Sequence, residues 1–239
     1  MSNDIMGKPA LYYLTSVLLL IICCGGSPEF TLTPKTVIQQ NPSDKNILLN
    51  GRIWWDQYTR VTGDQFFLGN IFFKGSVTFN GRKFENLDLK YDIHNDELIL
   101  SIESYPVIMM NKEMVDSFDL VLGNRIYHII NAGTDTSNVL RGYVNVLYGG
   151  RSSLYVKYAK KILPLGDDGR YDLFVQEHLI YVRKGTEIVP VEGKRHLLNL
   201  LENKKKEIRD YIKSNRIKVM KKDPYTFIPV LEYYDSIVK

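Results

Sequence analysis

Four histidines, His94, His128, His178 and His196, are the side chains best suited to hold a metal or to move a proton near neutral pH. None stands in an HxH, HExxH or other metal-ligand spacing, so no metal built from neighbouring ligands is expected. Glycoside hydrolysis needs two carboxyl groups about 5 to 10 Å apart, a separation set by the fold. Asp88, Asp92, Asp96 and Glu97 are close in sequence, but Asp88 and Asp92 fall on the polar side of an alternating strand and read as solvated edge charge. No GxSxG elbow or Gly-rich phosphate loop is present. Asp167-Asp168-Gly169 lacks the later ligands of a calcium loop and reads as a turn. No catalytic residue, metal or cofactor is therefore expected.

The chemistry that remains is recognition. Trp54 and Trp55, the only tryptophans, adjoin Tyr58 and Arg60, and these four are the candidate binding residues. If the pair lies on a strand, one indole enters the core and the other is free to stack on a sugar ring or fill a partner's pocket. Met109-Met110 reads as core filling.

The compartment follows from the front of the chain. Residues 10–24 are apolar apart from Thr15 and Ser16 and run into Gly25-Gly26-Ser27-Pro28. That length suits a secretory signal, and a membrane-spanning helix needs about 20 apolar residues. Residues 1–26 are thus expected to be a signal peptide. Lipidation of Cys24 is the second reading and an uncleaved anchor the third. Both cysteines lie inside this run, so the exported chain folds without disulfides and has no cysteine nucleophile.

Residues 27–48, with Pro28, Pro34 and Pro42 among polar residues, read as an extended linker. From 49 to 191 the apolar period is two: Leu87, Leu89, Tyr91 and Ile93 alternate with Asp88, Lys90 and Asp92. Asn80-Gly81 is expected to form a type I′ hairpin loop that pairs Val77 with Phe84. The apolar series then resumes an odd step away, at Leu87, which requires a β-bulge near Glu85-Asn86. Gly123-Asn124 reads as a second tight loop, which places Asp119 opposite His128 as a structural cross-strand pair. Further turns are expected at His94-Asn95-Asp96, Gly149-Gly150 and Lys184-Gly185.

The period becomes helical over 192–239. Asn203 is a candidate cap that would split the first part into two helices, and Asp223-Pro224 reads as a cap followed by a first-turn proline. Phe227, Leu231 and Tyr234 line one side and should pack on the sheet. The class is therefore α+β, mainly β: an antiparallel meander (barrel, half-barrel or sandwich) followed by C-terminal helices.

A composition with 44% hydrophobic residues supplies an ample core, and a net charge of +4 does not point to nucleic acid. Lysine and arginine concentrate over residues 194–222, which read as solvated surface or as a face for an anionic lipid or polyanion.

In the order of its segments the chain resembles the uncharacterised exported β-rich proteins of the Bacteroidetes. The likeness rests on residues 75–81, 86–93 and 146–150, on the tail at 193–201 and 204–212, and on Leu231-Glu232-Tyr233-Tyr234. It implies envelope localisation, periplasmic or at the outer-membrane periphery, and a part in envelope machinery, and it carries no catalytic residue. The expected function is a non-enzymatic envelope protein that binds a partner protein or an outer-membrane component. A carrier of an apolar ligand and an envelope glycan or peptide hydrolase are the alternatives.

Overall fold

The computed structural model describes residues 42–164 and 172–238. The signal-peptide reading of 1–26, Cys24 and the turn at Asp167-Asp168-Gly169 lie outside the described residues. Residues 40–239 form one compact unit.

Eleven strands form a single sheet: β1 Gly51–Ile53, β2 Phe73–Phe79, β3 Arg82–Asp92, β4 Glu97–Ser101, β5 Ile108–Met110, β6 Val115–Leu122, β7 Arg125–Asn131, β8 Tyr143–Gly149, β9 Ser152–Leu163, β10 Leu173–Lys184 and β11 Glu187–Pro190. Every pairing between them is antiparallel. With three helices after it, the chain belongs to the α+β, mainly β class. The spatial order is β1-β5-β4-β3-β2-β6-β7-β8-β9-β10-β11, so β1 and β11 are free edges and the sheet does not close into a barrel. The order departs from a plain meander where β2 meets β6 and where β1 returns beside β5.

The loops expected at 80–81, 94–96 and 123–124 are present, while those expected at 149–150 and 184–185 fall one residue later, at 150–151 and 185–186. Asn80 and Gly81 both have positive φ, +48° and +73°, as a type I′ turn demands. Val77 pairs with Phe84 and Gly75 with Leu87, so β3 carries one extra residue over 85–86, where Asn86 adopts φ +54°. Asp119 pairs with His128 in the β6–β7 hairpin.

A segment preceding β2 straps the sheet. Phe67 N–H donates to Tyr91 O at 2.8 Å, and Ile93 N–H to Gln65 O at 3.0 Å. Thr62 N–H donates to Asp172 O at 2.7 Å, and Lys160 N–H reaches Ile93 O at 3.2 Å. Phe67 then packs its ring on Tyr91, Tyr127 and Tyr158, at 6.3, 5.1 and 4.4 Å between centroids. Those tyrosines sit on β3, β7 and β9, so the sheet must curve around Phe67. This concave face is filled by a buried cluster that includes Phe79, Phe84, Leu89, Phe118 and Tyr143.

The helices α1 Lys194–Leu200, α2 Lys205–Ser214 and α3 Ile228–Ile237 cover the other end of the same face. Leu197, Ile208, Ile212, Phe227, Leu231 and Tyr234 pack there with Leu154, Ile180 and Val182 of the sheet. Asp223 accepts from Tyr225 N–H at 3.2 Å, the expected cap, although Pro224–Phe227 form a 3-10 turn before α3 starts. Asn203 does not cap α2, whose N-cap Lys204 has no side-chain bond; its Oδ1 instead accepts from Tyr234 Oη at 3.4 Å. The linker expected to end at 48 is not extended at its end: Pro42–Leu49 are 3-10 helical and Leu48 is fully buried in the core.

Candidate functional site

The four aromatic and basic residues singled out from the sequence do not form one patch. Trp54 and Trp55 lie just beyond the three-residue β1 rather than on a strand. Trp54 is half-buried, with its ring 5.9 Å from Phe66, while Trp55 is 65% exposed. Tyr58 is held edge-on between His94 and Phe174 at 5.0 and 5.4 Å, and its hydroxyl donates to Asn95 Oδ1 at 3.2 Å. Both thereby anchor the strap. Arg60 and Trp55 remain on the surface.

Beneath the strap lies a buried lysine that the sequence pattern had placed on a wet face. Lys90 Nζ sits 5.5, 4.4 and 4.4 Å from the rings of Trp54, Phe66 and Phe72 and donates to Asn70 Oδ1 at 2.7 Å. Burial lowers its pKa, against the pull of Asp56 and Asp64. Asp92 is likewise buried rather than solvated: it accepts from His94 N–H, Asn95 N–H and Asn95 Nδ2 at 2.9 Å each and so caps the β3–β4 turn. Burial raises its pKa in spite of those bonds. Asp88, half-exposed, pairs with Lys74 at 2.8 Å across the strands.

The histidines all have structural partners. His94 Nδ1 donates to Lys160 O at 2.9 Å, His128 Nδ1 to Asp119 Oδ1 at 2.6 Å and His178 Nε2 to Lys221 O at 2.7 Å. His196 Nδ1 accepts from Glu192 N–H at 3.4 Å. Among the described residues no group of three or more His, Cys, Asp and Glu is placed to hold a metal ion.

Charged side chains converge at two places. The first is Asp96, at positive φ in the β3–β4 turn. Its carboxylate accepts from Tyr91 Oη at 2.7 Å, from Lys112 Nζ at 2.6 Å and from Tyr143 N–H at 3.3 Å, with Lys157 Nζ at 3.7 Å. A carboxylate committed to this many donors is held in place rather than free to act as a general base. Neighbouring Glu97, raised in pKa by burial, pairs with Arg52 at 3.2 Å.

The second is a groove of about 470 Å³ between α1 and α2, lined by Lys194, Arg195, Leu198, Asn199, Lys205 and Arg209. The local folding explains it. Leu197 on α1, Leu201 just past its end, and Ile208 and Ile212 on α2 turn into the core, so the intervening positions of both helices must face outward. Lys205 Nζ donates to Asn199 Oδ1 at 2.9 Å, which ties the two helices across the groove. Among the described residues no acidic side chain lines it. Residues 194–222 hold eleven lysines and arginines against three acidic residues, whereas the whole chain is only +4, so the rest of the chain carries a net −4. The basic run is legible in the sequence but the groove is not, because two helix faces combine to make it. No described helix is long and apolar enough to cross a membrane. Comparison of the chain with protein-family models, with curated proteins and with solved structures returns no match in any of the three.

Proposed function

We propose that this chain is an exported, non-enzymatic envelope protein that docks on an acidic component of the outer membrane through the basic face of its helical layer, in the service of envelope machinery. The single observation that carries the reading is the α1/α2 groove: four cations, Lys194, Arg195, Lys205 and Arg209, around a concavity with no carboxylate in its lining. A positive surface of this kind gathers anionic headgroups, at about 1 kcal/mol per Lys or Arg near the surface. The opposite charge balance of the remaining chain orients that encounter, since the acidic part is repelled. The signal-like N-terminal run and the resemblance to exported Bacteroidetes proteins support the compartment.

The carrier reading needs an apolar concavity, and the concave face here is filled by Phe67, Phe79, Phe84 and Phe118 with their neighbours. The hydrolase reading needs two free carboxyl groups converging in a cleft; Asp96 and Glu97 are engaged with cations, which leaves Glu113, among the described residues, as the carboxylate without an ion pair in the lining of the larger pocket.

Sedimentation with vesicles tests the proposal, using the full chain and its Arg195→Ala/Arg209→Ala variant side by side, so that the apolar N-terminal run contributes equally to both. On vesicles rich in anionic lipid the variant should partition roughly 30-fold more weakly, the equivalent of about 2 kcal/mol, with no difference on zwitterionic vesicles. Equal partition of both proteins would overturn the reading. Retention by an envelope protein without any lipid dependence would do the same and point to a protein partner.

A further inference from the structure

Three cations and one carboxylate meet in a small pocket next to Tyr143, whose N–H donates to Asp96 and whose ring lies 4.8 Å from Lys112 Nζ. Lys112 comes from the turn between β5 and β6, Arg141 from the β7–β8 loop, Lys157 from β9 and Asp96 from the β3–β4 turn, and together they line a space of about 210 Å³. Asp96 is satisfied by Lys112 at 2.6 Å, leaving Lys157 Nζ 3.7 Å from the same oxygen and hydrogen-bonded to the Arg141 carbonyl. The Arg141 guanidinium has no hydrogen bond or ion pair among the described residues, and Arg141 is exposed at the mouth. The cluster therefore carries a formal surplus of two positive charges. Burial lowers the pKa of Lys157, the Asp96 charge pulls it up, and the Lys112 and Arg141 charges push it down.

Glycine opens the space. Gly142 has φ +79°, and a Cβ there would be driven into Asp96 Oδ2. Gly133, at φ +82°, forms the facing wall with nothing near its missing side chain. A second pocket of about 480 Å³ lies beside it, with Lys112 and Thr134 in both linings. Arg52, Glu97, Glu113, Asn111 and Met109 are among the residues lining that larger space, offering donors, acceptors and an apolar surface.

We propose that this double pocket binds a small polyhydroxylated molecule carrying one oxyanion, phosphate or carboxylate, with the oxyanion between Lys112, Arg141 and Lys157 and the hydroxylated body against Arg52, Glu97 and Asn111. The site is separate from the helical groove and does not rest on the membrane reading. A fork-shaped guanidinium and two ammonium groups are the chemistry that recognises an oxyanion. The Asp96 carboxylate holds Lys112 in place.

Calorimetric titration of the full chain tests this with four probes: glucose 6-phosphate, glucuronate, inorganic phosphate and glucose. Saturable binding is expected for the first two, tighter than for inorganic phosphate, and none for glucose. Arg141→Ala and Lys157→Met should each weaken binding at least tenfold, and the exposed position of Arg141 leaves the fold intact. Arg195→Ala/Arg209→Ala should leave it unchanged. No saturable binding of either sugar acid, binding no tighter than that of inorganic phosphate, indifference to both pocket substitutions, or loss in the groove variant would each overturn the proposal.

Discussion

Tyr143 shows how one residue can be both well packed and poorly satisfied. Its ring lies 5.7 Å from Tyr91 and 5.1 Å from Phe118, edge-on to both, and Lys112 Nζ stands 4.8 Å from its centroid. Its hydroxyl is buried without a hydrogen-bond partner. Removing an unpaired buried hydroxyl while keeping the ring relieves a desolvation cost of about 1 to 3 kcal/mol. Tyr143→Phe should therefore be neutral or stabilising in chemical denaturation, and a loss of more than about 1 kcal/mol would contradict the burial seen here. Burial also pushes the Tyr91 and Tyr143 pKa values up, helped by the Asp96 charge, and pushes Tyr158 up to about 12. The folded chain thus holds protons that an unfolded tyrosine releases near 10, so stability should fall as pH rises above 10 and through the folded-state values. Absorbance titration should show a class of the 16 tyrosines that ionises only on unfolding. A single smooth transition near pH 10 for all of them would refute this.

At the scale of elements, the strap and the β2–β6 junction hold the sheet in its curve. Phe67→Ala removes the ring on which β3, β7 and β9 converge and should cost about 3 to 5 kcal/mol in denaturant unfolding. Gly75 sits where β2 is paired on both sides, and a Cβ there would be driven into the Asp119 carbonyl and crowd Leu89. Gly75→Ala should cost about 1 to 3 kcal/mol by overpacking, and wild-type stability would argue against this register. Local signals made much of this level legible. Asn80-Gly81, the bulge over 85–86 and the Asp119–His128 pair follow from turn chemistry and the two-residue period, both of which act within a few residues. The β2–β6 adjacency could not be read so, because it joins strands separated by three others in sequence. Alternation likewise puts Lys90 and Asp92 on a polar face correctly, yet only the strap from residues 54–72 makes that face dry. The Asp96 pocket was hidden for the same reason: its four charged residues come from four different elements.

Across the whole molecule, charge is sorted. The segment from 194 to 222 carries a surplus of eight positive charges and the remainder a deficit of four. Its apolar positions are spent on the sheet, with Leu197, Leu201, Ile208 and Ile212 buried, so the cations have only the outer surface to occupy. Alignment of helical period with the sheet surface was readable from sequence, but the placing of Lys194 and Arg195 opposite Lys205 and Arg209 depends on the turn at Glu202–Lys204 that folds α2 back beside α1. Binding through such a surface weakens with salt, because the Debye length falls to about 3 Å near 1 M. The most direct test is a wash of the envelope membranes of cells that produce the full chain or its Arg195→Ala/Arg209→Ala variant. The wild-type chain should stay with the membranes at low salt and be released at about 1 M, while the variant is already in the low-salt supernatant. Retention of both forms through the high-salt wash, or recovery of the unprocessed chain from the cytoplasm, would contradict the account.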